Sequence, residues 1–217
     1  MVFDSFYPGP NLEIYQSLRT NVQKLLWIAG TKGSGKTHLL QAAFHRCIRL
    51  SRKSLYIPMC EFDQFSPEIL DDLDQLDLIC IDDIEFILGN QAWERKLLDL
   101  YERLQTTDCH LVIASHEPPK GINFFLPDLA SRFSMSVVHQ LAMLSETEMI
   151  SAIQLHANIR GFNLPNDSAN YLLKRVERNV GSLMEIIKIL DYESLSKQRK
   201  LTVPFIKNIL HLGNKDQ

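Results

Sequence analysis

Gly30-Thr31-Lys32-Gly33-Ser34-Gly35-Lys36-Thr37 is the stretch that decides the fold. An apolar run, Leu25-Leu26-Trp27-Ile28-Ala29, leads into it, and His38-Leu39-Leu40-Gln41-Ala42-Ala43-Phe44 follows with the character of a helix. The pattern is G-x-x-x-x-G-K-[ST] between a strand and a helix, the context in which it forms a phosphate-binding loop. Glycines let the backbone turn so that successive N–H groups face phosphate oxygens, and the following helix N-terminus reinforces the nest. In this reading Lys36 reaches the β- and γ-phosphates as a point charge, and the Thr37 hydroxyl ligates Mg²⁺. The candidate binding segment runs from Gly30 through Thr31, Lys32, Gly33, Ser34, Gly35, Lys36 and Thr37 to His38. A glycine-rich turn that binds nothing has to account for eight matching positions with both flanks in place. The sequence therefore predicts a nucleoside di- or triphosphate site.

Downstream, Leu76-Asp77-Leu78-Ile79-Cys80-Ile81-Asp82-Asp83 is an apolar run that ends in carboxylates. A buried parallel strand delivering acid groups to its C-terminal edge has this form. In a P-loop ATPase it is the Walker B strand, with Asp82 holding Mg²⁺ and Asp83 polarising the attacking water. A third apolar run, Leu111-Val112-Ile113-Ala114, ends in Ser115-His116, whose polar groups would face the γ-phosphate beside Asp82. Ser54-Leu55-Tyr56-Ile57-Pro58-Met59 reads as a short strand, at an edge or a strand end because of Pro58. Residues 63–73 read as a short acidic helix with Pro67 near its start, and 93–105 as an amphipathic helix. Leu126 to Phe133 is a short helix and Val137 to Leu141 a last strand.

From residue 145 the character changes. Ser145-Glu146-Thr147-Glu148 is a capping-box signature, and helical patterns follow at 146–160, 167–176, 182–196 and 204–210. Gly161, Pro165 and Gly181 separate them, and Thr202-Val203-Pro204 opens the last. The expected fold class is α/β: a parallel sheet flanked by helices over residues 1–144, with right-handed crossovers, then a small all-helical domain over 145–217.

Composition narrows the function classes. With 45% apolar residues in 217, the chain can build a real core, and a net charge of −3 argues against a general nucleic-acid coat. The four cysteines are far apart with no C-x-x-C, so they read as small core residues in a reducing compartment. The seven histidines show no metal spacing. No apolar stretch approaches a membrane span and no signal segment opens the chain, so a soluble, cytoplasmic protein is expected.

Phosphate loop, Asp-Asp strand end, polar-ended strand, arginine on a short helix and helical lid together describe the AAA+ ATPases. Gly35-Lys36-Thr37-His38-Leu39-Leu40 and Ile81-Asp82-Asp83-Ile84 resemble the DnaA family of bacterial replication initiators. Within that family the resemblance is to the regulatory inactivators, the Hda branch. It rests on Phe3-Asp4-Ser5-Phe6-Tyr7-Pro8-Gly9, Leu126-Pro127-Asp128-Leu129-Ala130-Ser131-Arg132, Arg160-Gly161-Phe162-Asn163-Leu164-Pro165 and Gln198-Arg199-Lys200-Leu201-Thr202-Val203-Pro204-Phe205-Ile206-Lys207. These stretches run from one end of the chain to the other.

The resemblance implies an AAA+ fold with a lid, ADP or ATP with Mg²⁺ as cofactors, and Asn11 with Phe3 to Phe6 near the adenine. It makes Ser115 part of the sensor 1 region and Arg132 an arginine finger acting in trans on ATP held by DnaA. A guanidinium suits that task, being planar, permanently charged and able to place several donors on phosphate oxygens. The family also tethers itself to the DNA polymerase sliding clamp by a short N-terminal peptide, for which the chain before Phe3 leaves no room. Gln75-Leu76-Asp77-Leu78-Ile79 resembles such a peptide, but Leu78 and Ile79 should be buried in the Asp-Asp strand. Gln140-Leu141-Ala142-Met143-Leu144 is a weaker look-alike. Gly181 stands where many AAA+ proteins have arginine, and Ile189, beside Lys188, where DnaA has its sensor arginine. At most weak ATPase activity alone is therefore expected. The chain ends where DnaA carries its helix-turn-helix domain, so little duplex DNA binding is expected, and a homodimer is a candidate assembly. The competing readings are a helicase loader or transposition helper of the DnaC/IstB type that engages single-stranded DNA, and a small-molecule kinase. The first lacks a basic run, the second an arginine-rich lid.

Overall fold

In the computed structural model the described residues are 1–20, 23–175, 180–197 and 201–213. Val176, which ends one expected helix, and Gln198 to Lys200, which figure in the sequence reading, lie outside them. The chain forms two compact units: Met1–Phe3 with Pro10–Ala142, and Asp4–Gly9 with Met143–Gln217.

The first unit contains α1 (Leu12–Thr20), β1 (Leu25–Ala29), α2 (Lys36–Arg49), β2 (Ser54–Pro58), β3 (Leu78–Asp82), α3 (Gln91–Leu104), β4 (His110–Ser115), α4 (Pro127–Phe133) and β5 (Val137–Gln140). All strand pairs are parallel and the sheet order is β2-β3-β4-β1-β5. Parallel strands need crossovers, and the helices supplying them bury the sheet. The burial shows it: every residue of β3 is buried, and Leu26, Trp27, Ile28 and Ala29 of β1 are inaccessible. β2 is an edge strand whose last residue is Pro58, which costs no ladder hydrogen bond there.

Alternation along β1 divides its side chains between two faces. Trp27 and Ala29 join Ile79, Ile81, Leu111 and Ile113 in a core that also holds Trp93, Leu97, Leu100, Leu129 and Phe133 of α3 and α4. Leu26 and Ile28 fall on the opposite face. Phe133 anchors α4: its ring lies 5.5 Å from Trp27, 6.0 Å from Phe124 and 6.2 Å from Tyr101.

Residues 63–73 do not form the expected helix. Three short 3-10 turns take its place, Met59–Gln64, Pro67–Leu70 and Leu73–Gln75. Phe65 and Asp71 are extended and Asp72 is left-handed at φ 55°, so each turn is closed before an α-helical ladder can start. Pro67, which has no N–H, sits at the start of the second turn.

The second unit holds α5 (Glu146–Ile159), α6 (Asn166–Leu173), α7 (Val180–Lys197) and α8 (Val203–Gly213) around a core of Ile153, Ala157, Leu172, Leu183, Ile187, Leu190 and Ile206. The capping box opens α5 as its residues require: the Glu148 N–H donates to Ser145 Oγ, and the Ser145 N–H donates to Glu148 Oε2 at 2.8 Å. Gly181 does not separate helices; it lies in the first turn of α7, where N–H groups lack intrahelical partners in any case. The N-terminal segment is held within this unit. Gly9 has φ 46°, and a Cβ there would meet Leu144 Cδ2 at 3.0 Å. Among the described residues no helix is long and apolar enough to cross a membrane.

Truncating the ring that seats α4 tests this packing. Phe133→Ala is expected to destabilise the protein by about 3–5 kcal/mol, read as a lower urea midpoint by tryptophan fluorescence.

Candidate nucleotide site

Parallel strands bring their C-terminal ends to one edge of the sheet, where ligands of open α/β folds bind. The ends of β1, β3 and β4 there carry the phosphate loop, Asp82 and Ser115. The Gly30 N–H donates to the Ser115 carbonyl at 3.1 Å, joining the loop to the end of β4. Gly33 (φ 83°) and Gly35 (φ 100°) are left-handed, a conformation that side chains resist. Gly30 is required for a different reason: a Cβ there would stand 2.7 Å from Ser34 Oγ and 3.1 Å from Leu141 Cβ.

Thr31 and Lys32 are exposed, and Gly33, Ser34, Gly35, Thr37 and His38 are half-buried. Lys36 opens α2 and is only 5% exposed. Its ammonium donates to the Gly30 carbonyl at 2.5 Å and to that of Thr31 at 3.2 Å. Burial holds Lys36 below its ordinary pKa, opposed by the carboxylates of Glu85, Asp83 and Asp82. Ser34 Oγ is buried without a hydrogen-bond partner. His38 Nε2 lies 3.0 Å from the Val2 carbonyl, so its ring is turned to the N-terminal residues.

Asp82 is 1% exposed. Tyr56 donates to its Oδ2 at 2.8 Å and the Asp83 N–H to its Oδ1 at 3.1 Å, and the nearby Thr37 side chain also favours its charged form. Burial raises the Asp82 pKa despite these donors. Asp83 takes left-handed backbone at φ 52°, and burial and Glu85 raise its pKa, with Lys36, His116 and Lys32 opposing. Half-buried Tyr56 is likewise pushed up, by desolvation first and by Asp82 in addition.

These residues suit a nucleotide and its cation. Two left-handed glycines, a glycine with no room for a side chain, an orphaned serine hydroxyl and a buried lysine ammonium held by two carbonyls line one loop. Thr37 and Asp82, the two expected Mg²⁺ ligands, are already in contact.

Ser115, His116 and Asn11 take partners that the sequence reading did not specify. Ser115 is fully buried, and its hydroxyl accepts from Trp27 Nε1 at 2.7 Å and donates to the Glu117 carbonyl, so it faces the core rather than the phosphates. The next residue, His116, turns to the acidic edge, with Nδ1 2.8 Å from Glu85 Oε1. Asp83, Glu85 and His116 bring their ligand atoms within 4.8 Å of one another. The missed signal lay 88 residues earlier: Trp27 is an indole donor in a buried strand and needs an acceptor. Asn11 is 5% exposed, and its amide makes a two-way bond with the Ala142 backbone, donating at 2.9 Å and accepting at 2.8 Å.

Arg132 lies apart from this cluster, on α4. Leu129 and Phe133 of that helix are buried while Arg132 is exposed. Among the described residues no side chain pairs with its guanidinium. In the second unit Ile189 is 52% exposed on α7, and Lys188 lies 3.7 Å from Glu185. Leu78 and Ile79 are buried in β3, which removes the clamp-peptide look-alike there.

The order β2-β3-β4-β1-β5, with a phosphate loop after β1 and paired acids after β3, defines the AAA+ class of P-loop protein. The chain matches the family model of the bacterial DnaA ATPase domain over residues 2–140, and that of the Hda lid domain over residues 146–210. It belongs to the Hda/DnaA family of AAA+ proteins. The fold is similar to domain III of the replication initiation protein DnaA from Thermotoga maritima, with a TM-score of 0.81 at 22% identity over 97% of this chain and 95% of that one. It is also similar to a replication initiator DnaA solved with AMPPCP and single-stranded DNA (TM-score 0.72, 20% identity, 91% of this chain and 67% of that one). The Holliday junction branch migration motor RuvB of Thermotoga maritima is similar too (TM-score 0.71, 16% identity, 97% and 73%).

The raised carboxyls carry a pH signature. A group whose folded pKa lies above its unfolded value holds more protons in the folded state, so stability falls as pH rises above the ordinary carboxylate range. Asp82→Asn is therefore expected to raise the melting temperature of nucleotide-free protein by about 2–4 °C near neutral pH. The gain should shrink toward pH ~4, and Mg²⁺-dependent nucleotide binding should weaken. Melts across that pH range, with and without MgADP, check it.

Proposed function

We propose that this protein is a regulatory inactivator of the replication initiator DnaA. It docks on ATP-loaded DnaA and brings Arg132 to the γ-phosphate held there, stimulating hydrolysis and so preventing re-initiation of DNA replication. The observation that carries the reading is Arg132: a solvent-facing, unpaired guanidinium on a helix whose other face is sealed into the core. Asp128 stands one turn earlier on the same helix, yet among the described residues no ion pair ties it or any other acid to Arg132. The match to the Hda lid domain supports the same branch of the family.

The protein's own site serves to hold ADP or ATP. Gly30 to Thr37 supply the phosphate cradle, Lys36 its charge, and Thr37 and Asp82 the cation ligands. Asp83 stands next to them as the second acid. A Mg²⁺ held by Thr37 and Asp82 would neutralise charge on the phosphate chain. Asn11 acts by fixing the backbone at Ala142. Ser115 supports the loop through its carbonyl. Residues 1–144 act as the nucleotide-binding part and 145–217 as its lid. The same reading includes the DNA polymerase sliding clamp as a tether, a homodimer as a resting form, no membrane partner, little direct duplex DNA binding, and the cytoplasm as location.

ATP-loaded DnaA with clamp loaded on DNA tests the function, following bound ATP as it turns to ADP. Wild-type protein should accelerate that conversion, and Arg132→Ala should lose roughly 10³-fold of the acceleration or more. Equal acceleration by Arg132→Ala would sink the assignment. Lys36→Ala is expected to lose about 10-fold or more in affinity for a fluorescent ADP analogue, since charge-assisted phosphate contacts are the strong ones. Equilibrium titration measures it.

A further inference from the structure

Three backbone N–H groups, from two separate stretches of main chain, end on one carboxylate. Glu94 lies in the first turn of α3 and is completely buried. Its Oε1 accepts the N–H of Gly89 at 2.7 Å and that of Phe125 at 2.9 Å, and its Oε2 accepts the N–H of Leu126 at 2.8 Å. All three donors are backbone groups, so the bonds fix chain position rather than a rotamer.

The positions held are informative. Phe125 and Leu126 immediately precede α4, and Leu126 is its N-cap, with no side-chain cap of its own. Gly89, left-handed at φ 79°, ends the loop that leaves Asp82 and Asp83. α4 has only seven residues, too few to hold itself as an isolated helix. Leu129 and Phe133 fix which face it turns inward. They do not fix where along the core its first residue starts, and the Glu94 carboxylate does.

We propose that Glu94 is the positioning residue for Arg132, holding the start of α4 and tying it through Gly89 to the loop after the Asp82–Asp83 pair. It touches no reacting atom. The proposal rests on Arg132 acting in trans, because a guanidinium aimed at a partner's phosphate must be placed within about an ångström to be effective. A carboxylate is required. In glutamine, the orientation that keeps the Gly89 and Phe125 bonds turns an NH₂ group toward the Leu126 N–H, leaving a buried donor facing a donor.

The test uses full-length Glu94→Gln, with Glu94→Asp as a second variant that keeps the charge. On the free protein, amide exchange by mass spectrometry should speed up at Gly89 and across residues 125–133, while β1, β3 and β4 stay protected. In the DnaA assay, Glu94→Gln should lower the maximal acceleration roughly 10–100-fold. Its half-saturating concentration should change less than about threefold, and ADP affinity should hold. Glu94→Asp should recover part of the rate. A double Glu94→Gln/Arg132→Ala variant should be no slower than Arg132→Ala alone, since residues acting as one unit are not additive. If Arg132→Ala is inactive while Glu94→Gln accelerates like wild type, the Glu94 proposal is overturned and the arginine stands. The proposal also falls if exchange rises over the whole sheet and rate, half-saturation and ADP affinity drop together. If Arg132→Ala itself accelerates like wild type, the proposed function fails, and the positioning role falls with it.

Discussion

Asp82 is a carboxylate with 1% of its surface exposed, met by a tyrosine hydroxyl, a threonine side chain and one N–H rather than by a salt bridge. Removing a charge from water is costly unless donors or a cation compensate, and the raised pKa of Asp82 is the sign that the donors do so only in part. Much of the first unit follows from keeping that group where it is. β3 must be buried throughout to carry it, α2 must start where Thr37 can reach it, and β2 must lie beside β3 for Tyr56 to do so. The ammonium of Lys36, itself below its ordinary pKa through burial, completes an edge that has less counter-charge than its acids call for. A site in this condition is ready for a divalent cation and a phosphate chain together.

The unit then places two sets of polar residues on different elements. The phosphate loop and the acids gather at the ends of β1 and β3, while Arg132 stands on a short helix packed on the Trp27 face of the sheet. Two buried polar networks link these places. Trp27 and the Gly30 N–H both bond to Ser115, so the core under α4 and the phosphate loop share one residue. Glu94 joins the loop after the acids to the start of α4. Both networks include bonds to main-chain groups, and buried bonds lose more when broken than they contribute when made.

Elements with strong local signals were legible. The phosphate loop, the all-apolar β3, the amphipathic α3 and the capping box at Ser145 each carry their period or their cap within a few residues. The failures share one cause. The acidic stretch 63–73 has helix-forming composition, but left-handed Asp72 and the extended residues at 65 and 71 break it into turns. Gly181 reads as punctuation and sits inside α7. Ser115 was read by its position at a strand end, whereas a buried indole 88 residues earlier had a stronger claim on its hydroxyl. In each case residue type was read without the backbone conformation or the hydrogen-bond partner that decided the outcome.

By itself the sequence determined what repeats or punctuates locally: the phosphate loop with its flanks, the strand that ends in Asp82-Asp83, the alternation of strands and helices, and the arginine on its short helix. These properties are written in residue type and spacing, because glycine conformation, burial period and capping act over less than ten residues. The tertiary structure alone decided which polar group meets which. It gave Ser115 to Trp27, His116 to Glu85, Asn11 to Ala142 and Glu94 to the start of α4. Those pairings span 31 to 131 positions, and they exist because a buried donor or acceptor must find a partner wherever the fold brings one within reach.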